Sequence, residues 1–227
     1  MADAFRSVAA KTQALLETPA YGEAAVSFID ELLDKVPSYV AAAKTVREAG
    51  APALDAAHAA DLAAPPKPLL DALDAFRVEV EFVVKVLNAA SLFIHSRVPE
   101  MKEEDNAGVM IQMQVLETLG DLRKVFEQGV KGKDSGATRF VSLKYKLDYL
   151  TARAELEEKL NPSGKDAQPS KSASLKLALV EQDKMALADV AASYLALRRY
   201  ALSLVSAFTK NIEKLAMPRR NSVGMIG

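Results

Sequence analysis

Two histidines, one acidic run and one glycine cluster are the places in this 227-residue chain where residue types could do chemistry. His58 lies in a Pro/Ala-rich stretch and His95 near the end of a heptad pattern. Neither has the H-E-x-x-H spacing that sets two imidazoles around zinc on one helix face. Each is read as a solvated or partly packed histidine. The run Glu100-Met101-Lys102-Glu103-Glu104-Asp105-Asn106 is the densest charge cluster. Its carboxylates invite a calcium reading, but the alternating ligand spacing of an EF-hand loop is missing. A paired-carboxylate hydrolytic reading has no partner acid and no cleft to support it. On physical grounds alone the run is a solvated connector between helices. The cluster Gly129–Gly136 follows no strand, so it is a linker and not a phosphate cradle. Neither G-x-S-x-G nor a kinase signature occurs. The expectation is a protein with no catalytic residues, no metal and no cofactor, and therefore not an enzyme.

Bulk properties narrow the class further. Cysteine is absent, which removes disulfides and thiolate chemistry and suits a reducing compartment. The net charge of −1 gives no strong field toward nucleic acid or an anionic membrane, so neither is an expected partner. Asp3 and the lack of a long apolar run argue against a secretory signal at the N-terminus. No stretch reaches the ~18 apolar residues of a membrane span. The expected location is the cytoplasm, or also the nucleus. Apolar residues make up 50%, too many for a disordered chain. The length fits one large domain, or one domain with a long loop, and residues 1–227 are read as a single domain; a chain of this size buries roughly 70% of its unfolded surface, so a real core is possible.

The elements that must position any site read as all-α. Ala and Leu are abundant, and no alternating β-branched run suggests a strand. Phe5, Val8, Thr12 and Leu15 form a short first stripe, and Thr18–Gly22 reads as a turn. A longer helix then carries Phe28, Leu32, Val36, Tyr39, Ala43 and Val46, with Pro37 expected to kink it. Gly50-Ala51-Pro52 should stop it, and the stretch to Pro68 reads as a loop with at most one turn near Leu54. The clearest element runs from Leu69 to Arg97. Its residues Leu69, Leu73, Phe76, Val80, Val83, Leu87, Ala90 and Ile94 make a sustained heptad seam, and Val98-Pro99 ends it.

The next helix restarts after Asn106-Ala107-Gly108, with Val109, Met113, Leu116, Leu119, Leu122 and Phe126 as its stripe. After the Gly129–Gly136 break, helix resumes through Phe140, Leu143, Leu147, Leu150 and Ala154 to Leu160. Residues 163–174 are Ser-, Lys- and Pro-rich and are expected to be mobile. A last helix spans about Ser174 to Ala216. Its inner side is read as Leu177, Val180, Leu187, Ala191, Leu195, Leu202, Val205, Ile212 and Leu215, interrupted by Lys184 and Arg198. Residues 217–227 form an open tail. Four long helical elements argue an elongated four-helix bundle.

One segment looks less generic. Arg97-Val98-Pro99-Glu100-Met101-Lys102-Glu103-Glu104-Asp105-Asn106-Ala107-Gly108-Val109 closely resembles the activation loop of 11S proteasome activators. It is closest to the trypanosomatid-type homoheptameric activator, which carries nearly the same K-E-E-D-N stretch. Tyr149–Arg153, Glu157–Leu160 and Lys214–Arg219 resemble the family's third-helix segment and the end of its fourth helix. The resemblance covers roughly residues 24 to 227, and residues 1–23 match least.

The resemblance implies a heptameric ring of four-helix subunits that opens the 20S proteasome without ATP. In that picture the activation loop, residues 98–108, presses on α-subunit turns near the axial gate. Pro99, Glu100, Lys102, Glu103, Glu104, Asp105, Asn106 and Gly108 are the implied contact and shaping residues. The tail, ending Val223-Gly224-Met225-Ile226-Gly227, docks in pockets between α-subunits and lacks the penultimate Tyr of ATP-dependent caps. The implied partners are the 20S α-ring and further copies of this chain. Two rival readings are a helical adaptor with no proteasome role and an amphipathic lipid-surface protein. A native mass near seven subunits would separate the activator from the adaptor. The narrow seam of the second helix, with Glu79 and Glu81 midway, disfavours the lipid reading.

Overall fold

The computed structural model describes residues 19–99, 106–129, 139–162 and 172–218. Its helices in chain order are α1 (Pro19–Glu48), α2 (Gly50–Ala60), α3 (Lys67–His95), α4 (Ala107–Gln128), α5 (Tyr145–Leu160) and α6 (Ala173–Ala216). No strand occurs among the described residues, so the chain is all-α there. Two compact units divide it: Met1–Lys35, Val83–Arg123 and Tyr200–Gly227 in one, Val36–Phe82 and Lys124–Arg199 in the other.

The first unit draws on four helices, α1, α3, α4 and α6. Their facing sides bury Ile29 and Leu32, Leu87 and Ile94, Val109 and Leu119, Leu204 and Leu215. Phe93 of α3 meets Phe208 of α6 at 5.4 Å between ring centroids. The second unit centres on Phe76, whose ring meets Tyr194 edge-on at 4.7 Å and Phe140 at 5.8 Å. Phe126 completes this aromatic cluster against Phe140. All eight residues of the α3 seam are buried. Burying a large apolar side chain stabilises by roughly 1.5–3 kcal/mol, so this seam is a main source of cohesion.

Several expectations need correction. Pro19 to Gly22 are helical, because Pro fits the first position of a helix, where its missing N–H has no acceptor to lose. The stretch after Gly50 is an eleven-residue helix, α2, and the loop shrinks to residues 61–66. Pro52 sits within the first turn of α2, where it is tolerated for the same reason. Leu54 of α2 is buried, and Gly50 lies against the Leu187 side chain. Pro37 lies inside α1, as the sequence predicts.

On α4 the buried stripe passes through Gln112, while Met113 is exposed. Gly129 closes α4 with φ +77°, the left-handed geometry that ends helices. Phe140 and Val141 are buried ahead of α5, in a strap whose Val141 N–H donates to Ser193 Oγ at 2.9 Å. Helix α5 then buries Tyr149, Arg153 and Leu160, while Leu147 is exposed.

On α6 the inner side runs through Leu179, Asp183, Leu187, Val190, Tyr194, Leu197 and Leu204. Leu177, Leu195 and Leu202 face outward. Lys184 and Arg198 therefore do not interrupt the seam; each sits one residue past a buried seam position and is exposed. Lys184 pairs with Asp55 at 3.4 Å across an exposed surface, a contact worth little.

Candidate functional site

The end of α3 is held by its own side chains. Ser96 Oγ and Arg97 Nη1 both donate to the Phe93 carbonyl, at 2.9 and 3.0 Å. The Arg97 guanidinium also lies over the Phe93 ring, 4.0 Å from its centroid. A basic residue that satisfies a C-terminal carbonyl and stacks on an aromatic face fixes the helix exit. Pro99 follows, half-buried. His95 is exposed on the last turn of α3.

Helix α4 starts where this segment returns. The Asn106 carbonyl accepts the Met110 N–H at 2.9 Å, which makes Asn106 the N-cap position. Gly108 is buried against the backbone just past α6: a Cβ there would stand 1.9 Å from the Pro218 carbonyl oxygen. One turn further on, Gln112 is fully buried. Its Nε2 donates to the Leu215 carbonyl at 2.9 Å and to the Arg97 carbonyl at 3.2 Å. The exit of α3, the start of α4 and the exit of α6 thus meet at one junction.

Of the residues implicated by the sequence, Gly108 belongs to this junction, while Pro99 and Asn106 are described beside it in sequence, Pro99 after the exit of α3 and Asn106 at the start of α4. Glu100, Lys102, Glu103, Glu104 and Asp105 lie outside the described residues, as do Val223, Gly224, Met225, Ile226 and Gly227. The same holds for most of the 163–174 segment, whose end at Ala173 is already helical. Sequence reasoning missed Gln112. The available signal was a polar residue three after Val109, at a seam spacing.

The second unit contains a buried polar cluster that was also missed. His58, expected in a loop, lies on α2 with its side chain 8% exposed. Its Nε2 is 2.9 Å from Asp183 Oδ2. Tyr149 OH donates to Asp183 Oδ1 at 2.7 Å, and Arg153 Nη1 pairs with Oδ2 at 3.2 Å. Arg153 Nη2 donates to the carbonyls of Leu62 and Ala64, which ties the loop before α3 to α5. Arg153 Nε lies 3.0 Å from Glu157 Oε1, without the alignment of a hydrogen bond. Burial first, and then the bond to Asp183, push the Tyr149 hydroxyl pKa far above the usual phenol range. A His–Asp pair could in principle move protons. Here three donors already occupy the carboxylate, and the geometry is that of a structural clamp. No group of three or more metal-ligating side chains occurs among the described residues.

Residues 63–225 match the sequence model of the family "Proteasome activator PA28, C-terminal". That is more than half of the chain, and the chain belongs to this family. It is similar to the activator chain in a crystal structure of an archaeal 20S proteasome in complex with a mutated P26 activator. Identity is 25% over 96% of this chain and 99% of that one, with a TM-score of 0.76. The fold also matches PA26 from Trypanosoma brucei in complex with the yeast 20S proteasome (21% identity, 96% and 100% coverage, TM-score 0.72). The PA28 subunit of Plasmodium falciparum shares it more distantly (17% identity, 69% and 58% coverage, TM-score 0.54). No curated protein sequence matches.

Proposed function

We propose that this chain is an ATP-independent activator of the 20S proteasome that works as a homoheptameric ring. The carrying observation is the junction of Arg97, Gly108, Gln112 and Leu215 in a chain of the proteasome activator family. It brings together Arg97, Gly108, Leu215 and Pro218, the described residues next to the loop and the tail of this reading, which supports it. In this reading residues 1–227 act as one domain. The tail, through Val223 to Gly227, docks between α-subunits. The activation loop, from Pro99 to Gly108, opens the axial gate to peptides. The protein catalyses nothing itself and uses no nucleotide or metal. Its place is the cytoplasm, or also the nucleus; no described helix is long and apolar enough to cross a membrane.

The physics fits such a role. One short tail binds weakly after its ordering cost is met. Seven on a closed ring become intramolecular once the first engages, and avidity follows. The adaptor reading finds no support in the family match. Native mass spectrometry and co-sedimentation with purified 20S proteasome test the proposal together. A mass near seven subunits that sediments with the proteasome is expected. A monomer or dimer that stays in the supernatant would return the chain to the adaptor reading.

A further inference from the structure

Gln112 is out of place by composition. It occupies a seam position of α4 between Val109 and Val115, both buried, and is itself 0% exposed. A buried carboxamide is costly unless its hydrogen bonds are made. Both N–H groups of Nε2 are used, each on a backbone carbonyl at a helix exit: Arg97 beyond α3 and Leu215 at the end of α6. The last carbonyls of a helix have no partner inside it. One side chain on a third helix therefore caps two helix ends. Its Oε1 is buried with no hydrogen-bond partner among the described residues, so the donors are what the site uses. Gly108 lies four residues earlier, on the same face of α4, and touches Pro218.

We propose that Gln112, with Gly108 beneath it, is a positioning residue that sets the register between the docking tail and the activation loop. The inference rests on the activator reading above. Arg97 leads into residues 98–108, Gln112 stands on the helix that follows them, and Leu215 leads into the tail. A tail that docks thus carries the loop base to a defined place through two hydrogen bonds and one backbone contact. Without the carboxamide, the tail still docks but no longer dictates where the loop base stands.

The test compares wild type with Gln112→Leu and Gln112→Met, which keep apolar bulk and lose both donors. Fluorogenic-peptide hydrolysis by latent 20S proteasome is titrated with each ring, so that half-saturation and plateau are read separately. The expected result is a half-saturating concentration close to wild type and a plateau lowered about tenfold, the scale of two ordinary hydrogen bonds. Hydrogen exchange on the free rings should show faster amide exchange in residues 95–98 and 213–218 together. The Tyr39–Phe76 region should be unchanged. A raised half-saturation with an unchanged plateau would overturn the proposal, because Gln112 would then serve docking alone. Wild-type behaviour in both readouts would reduce it to a core filler, and failure of both variants to form rings would make it a fold determinant. If wild type itself neither binds nor stimulates, the activator reading fails. The exchange experiment needs no proteasome and still decides whether Gln112 ties the two segments.

Discussion

Gly108 and Pro218, 110 positions apart in sequence, touch through backbone: a Cβ on Gly108 would stand 1.9 Å from the Pro218 carbonyl oxygen and 2.7 Å from its Cα. No rotamer change can relieve such a contact, so Gly108→Ala must displace either the start of α4 or the exit of α6. Overpacking of this kind costs about 1–3 kcal/mol. For a chain this long that lowers Tm by about 2–12 °C. Differential scanning calorimetry should show the loss, and peptide stimulation should fall more than proteasome binding. An unchanged Tm would mean that the two segments are not held together in solution.

The Asp183 carboxylate is the hub of the buried cluster, so its removal strands the Arg153 charge, whose side chain is 1% exposed. Breaking one side of a buried ion pair typically costs about 3–5 kcal/mol. Urea unfolding of Asp183→Ala should show a loss of that size. The double variant Asp183→Leu/Arg153→Met should recover much of it, since both buried charges go together and only Glu157, whose side chain is 29% exposed, loses its partner. A double variant no better than the single would show that the carbonyls of Leu62 and Ala64 depend on Arg153 more than Asp183 does.

The legible parts of this fold are those where one helix has a single apolar phase. The α3 seam could be read residue by residue, because polar side chains such as Glu79 and Glu81 flank it unambiguously. Helix α6 has apolar or Ala residues on more than one phase. Leu195 and Leu202 compete there with Leu197 and Leu204, and only packing partners decide. Asp183 on α6 and Gln112 on α4 also mask the true phase of their helices, as polar residues that count against burial until their partners are known. Those partners lie far away in sequence, Tyr149 for Asp183 and Leu215 for Gln112. Helix α2 was hidden by Pro52, whose effect depends on its distance from a helix start. The loop motif was readable because its residues are contiguous; the junction beneath it was not, because it joins three separate segments.

Asp189 gives a pH signature. Burial raises its carboxyl pKa, against the lowering effect of bonds from Tyr145 OH at 2.7 Å and the Arg139 N–H at 3.1 Å. A carboxyl with a raised native pKa binds more protons folded than unfolded. Its contribution to stability is therefore largest below the unfolded value of about 3.9 and is lost as pH rises through the native value. Asp189→Asn removes that dependence. The Tm difference between wild type and variant should move in favour of wild type as pH falls from neutral toward the carboxylate range. A difference independent of pH would show that Asp189 titrates normally.

Under the proposed function, Asn106 is a position where docking and opening should come apart. Asn106 is the N-cap position of α4, its carbonyl accepting the first intrahelical bond from the Met110 N–H, and asparagine tolerates the backbone angles of a tight loop exit. Asn106→Tyr adds volume within the segment 98–108 at a position outside the core seams. Rings of this variant should bind the proteasome, compete with wild type for it and stimulate hydrolysis poorly. Glu104→Ala should do the same more mildly. Paired binding and peptidase assays on the same preparations check this; full stimulation by Asn106→Tyr would make the segment a simple connector.

The central claim meets its most direct test in fluorogenic-peptide hydrolysis by latent 20S proteasome, with the full chain and with a chain lacking Met225-Ile226-Gly227. The deletion shortens the tail that the proposal assigns to docking by about 10 Å at ~3.3 Å per extended residue. Several-fold stimulation by the full chain, and none by the truncated ring, is the expected result. A full-length ring that leaves hydrolysis at the latent rate would contradict the account.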